Sequence, residues 1–258
     1  MNDTHPWSGV QLAAAGVSKT DLAGQQHQLL APTTVTLTER SVAVLGPNGS
    51  GKSTFLRLLN GLLKPSTGQV LLSADTVDRN RHRTGFLFPD PSAQLIMPTV
   101  AEDIQLSLEG FQPEGTSWFD RLKRTFQAPA YEQVAPEVLH TLEWVGLAEL
   151  AQRSIFELSS GQRQLIALAA VLVRNPELFL ADEPTTLLDL ANTERVRLIL
   201  ERALAERRIE QLVLATHDLE LAATAERALV FMDGQLVYDA SAEEAIDWYR
   251  QKVRDGRY

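Results

Sequence analysis

The chain has 258 residues, 44% of them hydrophobic and 22% charged, with 24 basic against 33 acidic side chains and a net charge of -9. That length suits one large α/β domain, or one domain carrying an added lobe, and the composition excludes a disordered or fibrous chain. The acidic balance provides no global field for nucleic acid or anionic lipid, and the absence of cysteine removes disulfide scaffolds, thiolate zinc sites and cysteine nucleophiles. The first residues, MNDTHPWSGV, lack the order of a secretory signal, and the longest apolar run, Leu165 to Val173, is about half of the ~20 residues a spanning helix needs. These numbers predict a soluble, cytoplasmic chain that reaches a membrane only through another protein.

Along the chain, short apolar runs alternate with segments of helical period, the pattern of a mostly parallel sheet wrapped by helices. Val35 to Leu37 and Gln69 to Leu72 read as strands of an antiparallel flank. Buried strands are predicted at Ser41 to Leu45, Leu178 to Ala181, Gln211 to Ala215 and Ala228 to Met232. Helices are predicted at Lys52 to Leu63, Gly161 to Val173, Ala191 to Arg208 and Leu219 to Ala225. Asn175-Pro176 ends the second of these, because proline cannot continue a helix. Between Phe111 and Pro136 the rhythm breaks into prolines and glycines, with Arg121, Lys123 and Arg124 among Trp118, Phe119, Phe126 and Tyr131. That stretch is either a short packed lobe, a partner surface or an ordinary loop insertion. Ser241 to Tyr258 reads as one amphipathic helix with Ala245, Ile246, Trp248, Tyr249 and Val253 as its apolar positions.

Gly46-Pro47-Asn48-Gly49-Ser50-Gly51-Lys52-Ser53-Thr54 fits G-x-x-x-x-G-K-[ST], with a predicted strand before it and a helix after it. Glycines in such a loop let backbone N–H groups turn inward around phosphate oxygens, and the helix N-terminus adds positive potential. Lys52 is expected to reach the β- and γ-phosphates, and the Ser53 hydroxyl to ligate Mg²⁺. The chain is therefore expected to bind a nucleoside triphosphate. Asp182, at the end of the strand Leu178 to Ala181, supplies the carboxylate such a site needs for Mg²⁺, and Glu183 follows it as a candidate general base. Taken alone, an Asp-Glu pair is equally a solvated turn. Leu158-Ser159-Ser160-Gly161-Gln162 opens the next helix and offers either a simple N-cap or a second anion site that would close over a partner chain's γ-phosphate.

GPNGSGKST, LSSGQRQ, LFLADEPTTLLD and Thr216-His217-Asp218, in this order, resemble the nucleotide-binding subunit of an ABC transporter over roughly residues 10 to 240. The resemblance implies a P-loop NTPase of the ABC cassette type, α/β in class, with a mostly parallel core sheet, an antiparallel β flank and a helical signature subdomain. It implies a single domain over 1–258, with its core at about 10–85 and 176–240 and the helical part at about 90–175. The insertion then falls near 111–136 and a C-terminal helix at 241–258. It further implies ATP and Mg²⁺ as ligands, a homo- or heterodimer of cassettes, Asp189 in the loop that crosses the dimer interface, and His217 on the γ-phosphate, steadying Glu183 and its water. The run Gly85-Phe86-Leu87-Phe88-Pro89-Asp90-Pro91-Ser92-Ala93-Gln94-Leu95-Ile96, followed by Pro98-Thr99-Val100-Ala101-Glu102-Asp103-Ile104, is similar to the Q-loop region of energy-coupling-factor ATPases. Those proteins power import of vitamins or of cobalt and nickel ions, so a transmembrane coupling subunit and a substrate-binding membrane subunit are the implied partners, and the cytoplasmic membrane face the implied location.

Three departures stand out. Pro89 occupies the leading Q-loop glutamine position, and Gln94 aligns with the second glutamine typical of the energy-coupling subfamily, so the resemblance implies Gln94 as a nucleotide-binding residue. Val17 to Lys19 replace the aromatic that stacks on adenine. Ser160 stands where glycine is commoner. Three functions follow: an ATPase driving an importer, an ATP-binding regulatory partner of low turnover, or a soluble ABC ATPase acting on ribosomes or DNA. The last normally needs two fused cassettes or a long coiled-coil insertion.

Overall fold

The computed structural model describes residues 7–21, 24–109, 134–186 and 188–256. Its frame is a six-stranded sheet of order β10-β9-β3-β8-β7-β6, built from β3 (Ser41–Leu45), β6 (Thr84–Leu87), β7 (Leu178–Asp182), β8 (Gln211–Ala215), β9 (Arg227–Met232) and β10 (Gln235–Ser241). The β9-β3-β8-β7-β6 neighbours run parallel, and β10 closes one edge as an antiparallel partner of β9. Both faces of the sheet are covered. On β3, Ala43 and Leu45 join one apolar cluster while Val42 and Val44 join the other. Side chains alternate across a strand, so a strand buried on both sides must be apolar throughout, which is why SVAVL, LFLAD and QLVLA carry no polar-apolar alternation.

One face packs on the P-loop helix (Lys52–Leu59), whose Phe55, Leu56, Leu58 and Leu59 are buried. Beyond that helix lies a four-stranded antiparallel sheet of order β2-β1-β4-β5, formed by β1 (Val10–Thr20), β2 (Gln26–Leu37), β4 (Thr67–Leu72) and β5 (Asp75–Thr76). The flank expected at Val35–Leu37 and Gln69–Leu72 is present, but its two strands meet through β1 and not through each other.

The other face packs on the signature helix (Ser160–Leu172), the long helix Leu190–Ala205 and the C-terminal helix Ala242–Arg254. The signature helix buries ten of its residues and is almost wholly apolar after Arg163, as befits a helix covered on all sides. Val100–Glu109 and Pro136–Trp144 are two further helices packed beside it. In the C-terminal helix Ala245 and Ile246 are buried, and the Trp248 ring stacks on Tyr238 of β10 at 4.8 Å. Val253, expected on the same apolar stripe, lies exposed. Of the Phe111–Pro136 stretch, residues 111–133 lie outside the described residues, and Pro136 begins a helix.

Phe231, the penultimate residue of β9, is fully buried with its ring 5.0 Å from Phe55. It joins the sheet to the P-loop helix. Phe231→Ala is expected to lower unfolding free energy by about 3–5 kcal/mol, read by urea denaturation; a loss under about 1 kcal/mol would show that the sheet does not lean on this ring.

Candidate nucleotide site

The loop Gly46–Gly51 leaves the C-terminal end of β3 and enters the P-loop helix, its glycines filling places a side chain cannot. A Cβ on Gly46, where φ is +144°, would lie 2.1 Å from the Phe231 carbonyl oxygen and 2.6 Å from Ser50 Oγ. Gly51, at φ +101°, precedes the first helical residue. Left-handed backbone at these points turns the loop back over the helix N-terminus and aims its amides at one volume. That volume is an open cleft of about 460 Å³ lined by Asn48, Gly49, Gly51, Lys52, Ser53, Thr54 and Glu183, with Gln28, Leu29, Asp233 and Gly234 on its far wall. Gly46, Pro47 and Ser50 shape the loop from behind: Pro47 accepts the Ser50 N–H at 3.2 Å, and Ser50 accepts the Gly234 N–H at 3.0 Å.

Lys52 is buried, and its Nζ donates to the carbonyls of Gly46 (2.8 Å) and Pro47 (3.1 Å). Burial pushes its ammonium below the ordinary lysine value, and the charges of Glu183 and Asp182 oppose that fall. The Ser53 hydroxyl donates to Asp182 Oδ1 at 2.9 Å. Asp182 is fully buried at the end of β7, and burial raises its pKa against the hydrogen bond from Ser53 and the charge of Arg57. Its second oxygen, Oδ2, is buried with no hydrogen-bond partner. A hard divalent cation prefers oxygen ligands, and an orphaned carboxylate oxygen beside a hydroxyl fits one.

Glu183 follows at φ +51°, its N–H donating to the Ala215 carbonyl at 2.8 Å. Its Oε1 is 3.9 Å from Lys52 Nζ. Its Oε2 lies 2.7 Å from His217 Nδ1, within hydrogen-bond distance, and accepts from Thr186 Oγ1 at 3.2 Å. His217 thus meets Glu183 directly within one chain. Lys52, Ser53, Thr54 and Glu183 line one cleft with the P-loop, Asp182 standing behind Ser53 and His217 beside Glu183.

Two sets of predicted residues lie elsewhere. Ser159 caps the signature helix: its Oγ accepts the Gln162 N–H at 3.2 Å, and Gln162 Oε1 accepts the Ser159 N–H at 3.0 Å. With Ser160 and Gly161 these residues lie outside the cleft lining of their own chain. They do adjoin the Asp189 loop, for a Cβ on Gly161 would strike the Asn192 side chain at 2.4 Å, and Asn192 Nδ2 donates to Asp189 Oδ1 at 3.0 Å. Gln94 also lies away from the phosphate loop. Its Oε1 accepts the Phe88 N–H at 3.3 Å and its Nε2 donates to the Ala167 carbonyl at 3.0 Å, so it ties the segment after β6 to the signature helix.

Sequence reasoning passed over Thr186, Gln28, Leu29 and Asp233. It also passed over Gln164, a buried amide that donates to the Pro184 carbonyl at 2.9 Å and joins the signature helix to the loop after Glu183. A polar residue inside an apolar helical run was the available signal for Gln164. Strand residues that border a cleft leave no such mark.

The ABC transporter family profile matches residues 33–186 of this chain. The biotin transport ATP-binding protein BioM of Rhizobium etli is 39% identical over 249 residues, covering 94% of this chain and 98% of that one. The energy-coupling factor transporter ATP-binding protein EcfA2 of Methanospirillum hungatei is 33% identical over 212 residues, covering 79% of this chain but 49% of that longer protein. Among solved structures, the dimeric ATP-binding cassette MJ0796 bound to ADP and Pi superposes with a TM-score of 0.73 at 27% identity, covering 90% of this chain and 98% of that one. The chain belongs to the ATP-binding subunits of ABC transporters and is an ATPase.

Proposed function

We propose that this chain is the ATP-hydrolysing subunit of an energy-coupling-factor importer for a vitamin or a transition-metal ion, held at the cytoplasmic membrane face by a transmembrane coupling subunit. A substrate-binding membrane subunit completes the assembly on this reading. The observation that carries it is a second cleft, of about 400 Å³, between the segment after β6 and the signature helix. Phe88, Gln94, Leu106 and Val171 line it together with Arg81 and Arg174, and Gln94 belongs to the segment that resembles the energy-coupling Q-loop region, whose Ile96 lies outside the cleft lining. Ile96 is 68% exposed. An apolar side chain in that position suits a helix presented by another protein. The likeness to BioM and EcfA2 supports the same subfamily. Among the described residues no helix is long and apolar enough to cross a membrane, so attachment through a partner fits.

In hydrolysis the loop amides and Lys52 would hold the triphosphate, and Ser53 with Asp182 would hold Mg²⁺, which would supply charge neutralisation to the phosphates. Glu183 takes a proton from a water whose oxygen bonds to the γ-phosphorus as the bond to the β–γ bridging oxygen breaks, leaving ADP and phosphate. His217 and Thr186 fix the orientation of the Glu183 carboxylate. Ser159, Ser160, Gly161, Gln162 and Asp189 serve the partner's nucleotide on this reading, since they lie outside the lining of their own cleft.

A second reading is a cassette of low turnover paired with a complete one. Pro89 has no side-chain oxygen to offer, and Gln94 is engaged by Phe88 and Ala167. Steady-state ATPase of the purified chain, alone and with a second cassette and the membrane subunits, separates the two. Comparable turnover alone and in the complex supports the first reading, and recovery only with a second cassette supports the second.

Replacing Glu183 with Gln is expected to cut turnover at least about 100-fold and to trap an ATP-dependent dimer, read by phosphate release and light scattering. Wild-type turnover in that variant would remove Glu183 as the base. Ile96→Glu is expected to reduce co-purification of the transmembrane subunit at least about tenfold with ATP affinity unchanged. Undiminished co-purification would place the membrane contact elsewhere.

A further inference from the structure

Ser159 to Gln162 and Asp189 belong to two segments well apart in sequence, and a single side chain stands between them. Asn192 is the third residue of the long helix Leu190–Ala205, whose N-cap is Asp189. Its backbone N–H donates to Asp189 Oδ1 at 2.8 Å, and its side-chain Nδ2 donates to the same oxygen at 3.0 Å. The same carboxamide abuts Gly161. A Cβ built on Gly161 would lie 2.4 Å from Asn192 Nδ2, 2.5 Å from its Cγ and 2.9 Å from its Oδ1, and these are the three nearest atoms. Gly161 is a buried helical residue without a positive φ, so its backbone does not call for glycine. Glycine is needed there because Asn192 fills the space.

The amide cannot yield that space freely. Turning it away from a larger residue breaks its bond to Asp189 Oδ1 and leaves that carboxylate fixed by the backbone N–H alone. With Oδ1 accepting twice, Oδ2 is the oxygen that can turn to a group from another chain. The surroundings suit such a chain. Phe156, shortly before the Ser159 cap, and Leu190, next to Asp189, are each 83% exposed, the two most exposed large apolar side chains among the described residues. They lie on the two segments that Asn192 joins, and apolar side chains left open in that way mark a surface that another protein covers.

We propose that Asn192 is a positioning residue of the half-site presented to a second cassette. It holds the Asp189 carboxylate on one side and the start of the signature helix on the other, so both meet the partner in one fixed relation. This role rests on the reading above, that Ser159–Gln162 and Asp189 serve the partner's nucleotide. The test is ATP-dependent dimerisation of the full chain in the Glu183→Gln background, followed by light scattering as ATP is added. The variants are Gly161→Ala, Asn192→Ala, the two combined, and Asn192→Asp. Gly161→Ala is expected to raise the ATP concentration for half-dimerisation at least about tenfold, and Asn192→Ala about threefold. The combined variant should match Asn192→Ala alone, because the added methyl then enters the space the amide vacates. Asn192→Asp keeps the shape and suits the first turn of a helix, but it sets a second carboxylate beside Asp189 in place of a donor. It should therefore weaken dimerisation at least about tenfold, which a role in packing alone would not produce. ATP affinity of both Asn192 variants in the dilute, monomeric chain should stay within about twofold of the parent, showing that the fold and the chain's own cleft are intact. A combined variant as impaired as Gly161→Ala overturns the inference, as does an Asn192→Asp chain that dimerises normally. Absence of any ATP-dependent dimer in the Glu183→Gln parent would overturn the partner-nucleotide reading itself.

Discussion

The site depends on the register of three parallel strands. Val44 of β3 and Asp182 of β7 both pair with Ala215 of β8, so the strands end in one row. From that row the chain leaves β3 into the phosphate loop, β7 into Glu183 and β8 into Thr216 and His217. Two backbone bonds lock the exits together: Glu183 N–H to the Ala215 carbonyl, and Thr216 N–H to the Val44 carbonyl at 3.2 Å. Because side chains alternate along a strand, a slip of one residue would turn Asp182 to the opposite face and part it from Ser53. Because the strands are apolar on both faces, polarity alone does not oppose such a slip. The two backbone bonds at the strand ends and the Ser53–Asp182 hydrogen bond do, since a shift would break all three.

The charged groups of the site are held in a state that stability alone would not choose. Lys52 and Asp182 are buried, one carboxylate oxygen has no partner, and Glu183 sits in left-handed backbone. A non-glycine residue there costs of order 1–3 kcal/mol, and an unpaired buried acceptor about as much again. The bonds to Ala215, His217 and Thr186 hold Glu183 in place, while Lys52 is retained by two loop carbonyls. The lysine charge therefore stands inside the loop, and donating to a phosphate requires it to exchange its bonds to the Gly46 and Pro47 carbonyls for phosphate oxygens.

The parts legible in sequence were those with local causes. SVAVL and QLVLA appear at their predicted bounds because a doubly buried strand leaves an unbroken apolar run. The phosphate loop was legible because glycine spacing encodes backbone geometry, and Asp182-Glu183 because a strand ends there. β1 was missed: its centre is Ala13-Ala14-Ala15-Gly16, which carries no strand propensity, and Ala14 takes φ +50° where the register shifts. β6 is four residues long and acquires its identity only by pairing with β7. The helix Leu190–Ala205 stops short of Arg208, since Arg207 turns to φ +55° and its charged neighbours carry the periodic pattern past the last turn. Gln94 was placed near the phosphates by analogy with a missing glutamine. Its partners, Phe88 and Ala167, become neighbours only in three dimensions.

Two buried or half-buried amides give the signature helix a mechanical position between the clefts. Gln94 fastens the segment after β6 to Ala167 in the middle of that helix, and Gln164, one turn nearer the N-terminus, fastens the same helix to the Pro184 carbonyl beside Glu183. The helix is apolar and close-packed between these points, so it moves as a rod more readily than it bends. On the proposed reading, a membrane subunit that presses on the second cleft displaces this rod. The displacement acts at once on the Ser159–Gln162 cap offered to the partner cassette and on the loop that carries the base. Neither amide touches phosphate, yet each fixes a distance between two parts that must close together. Pro89, which has no side-chain oxygen, takes no part in this linkage, because it passes through Gln94.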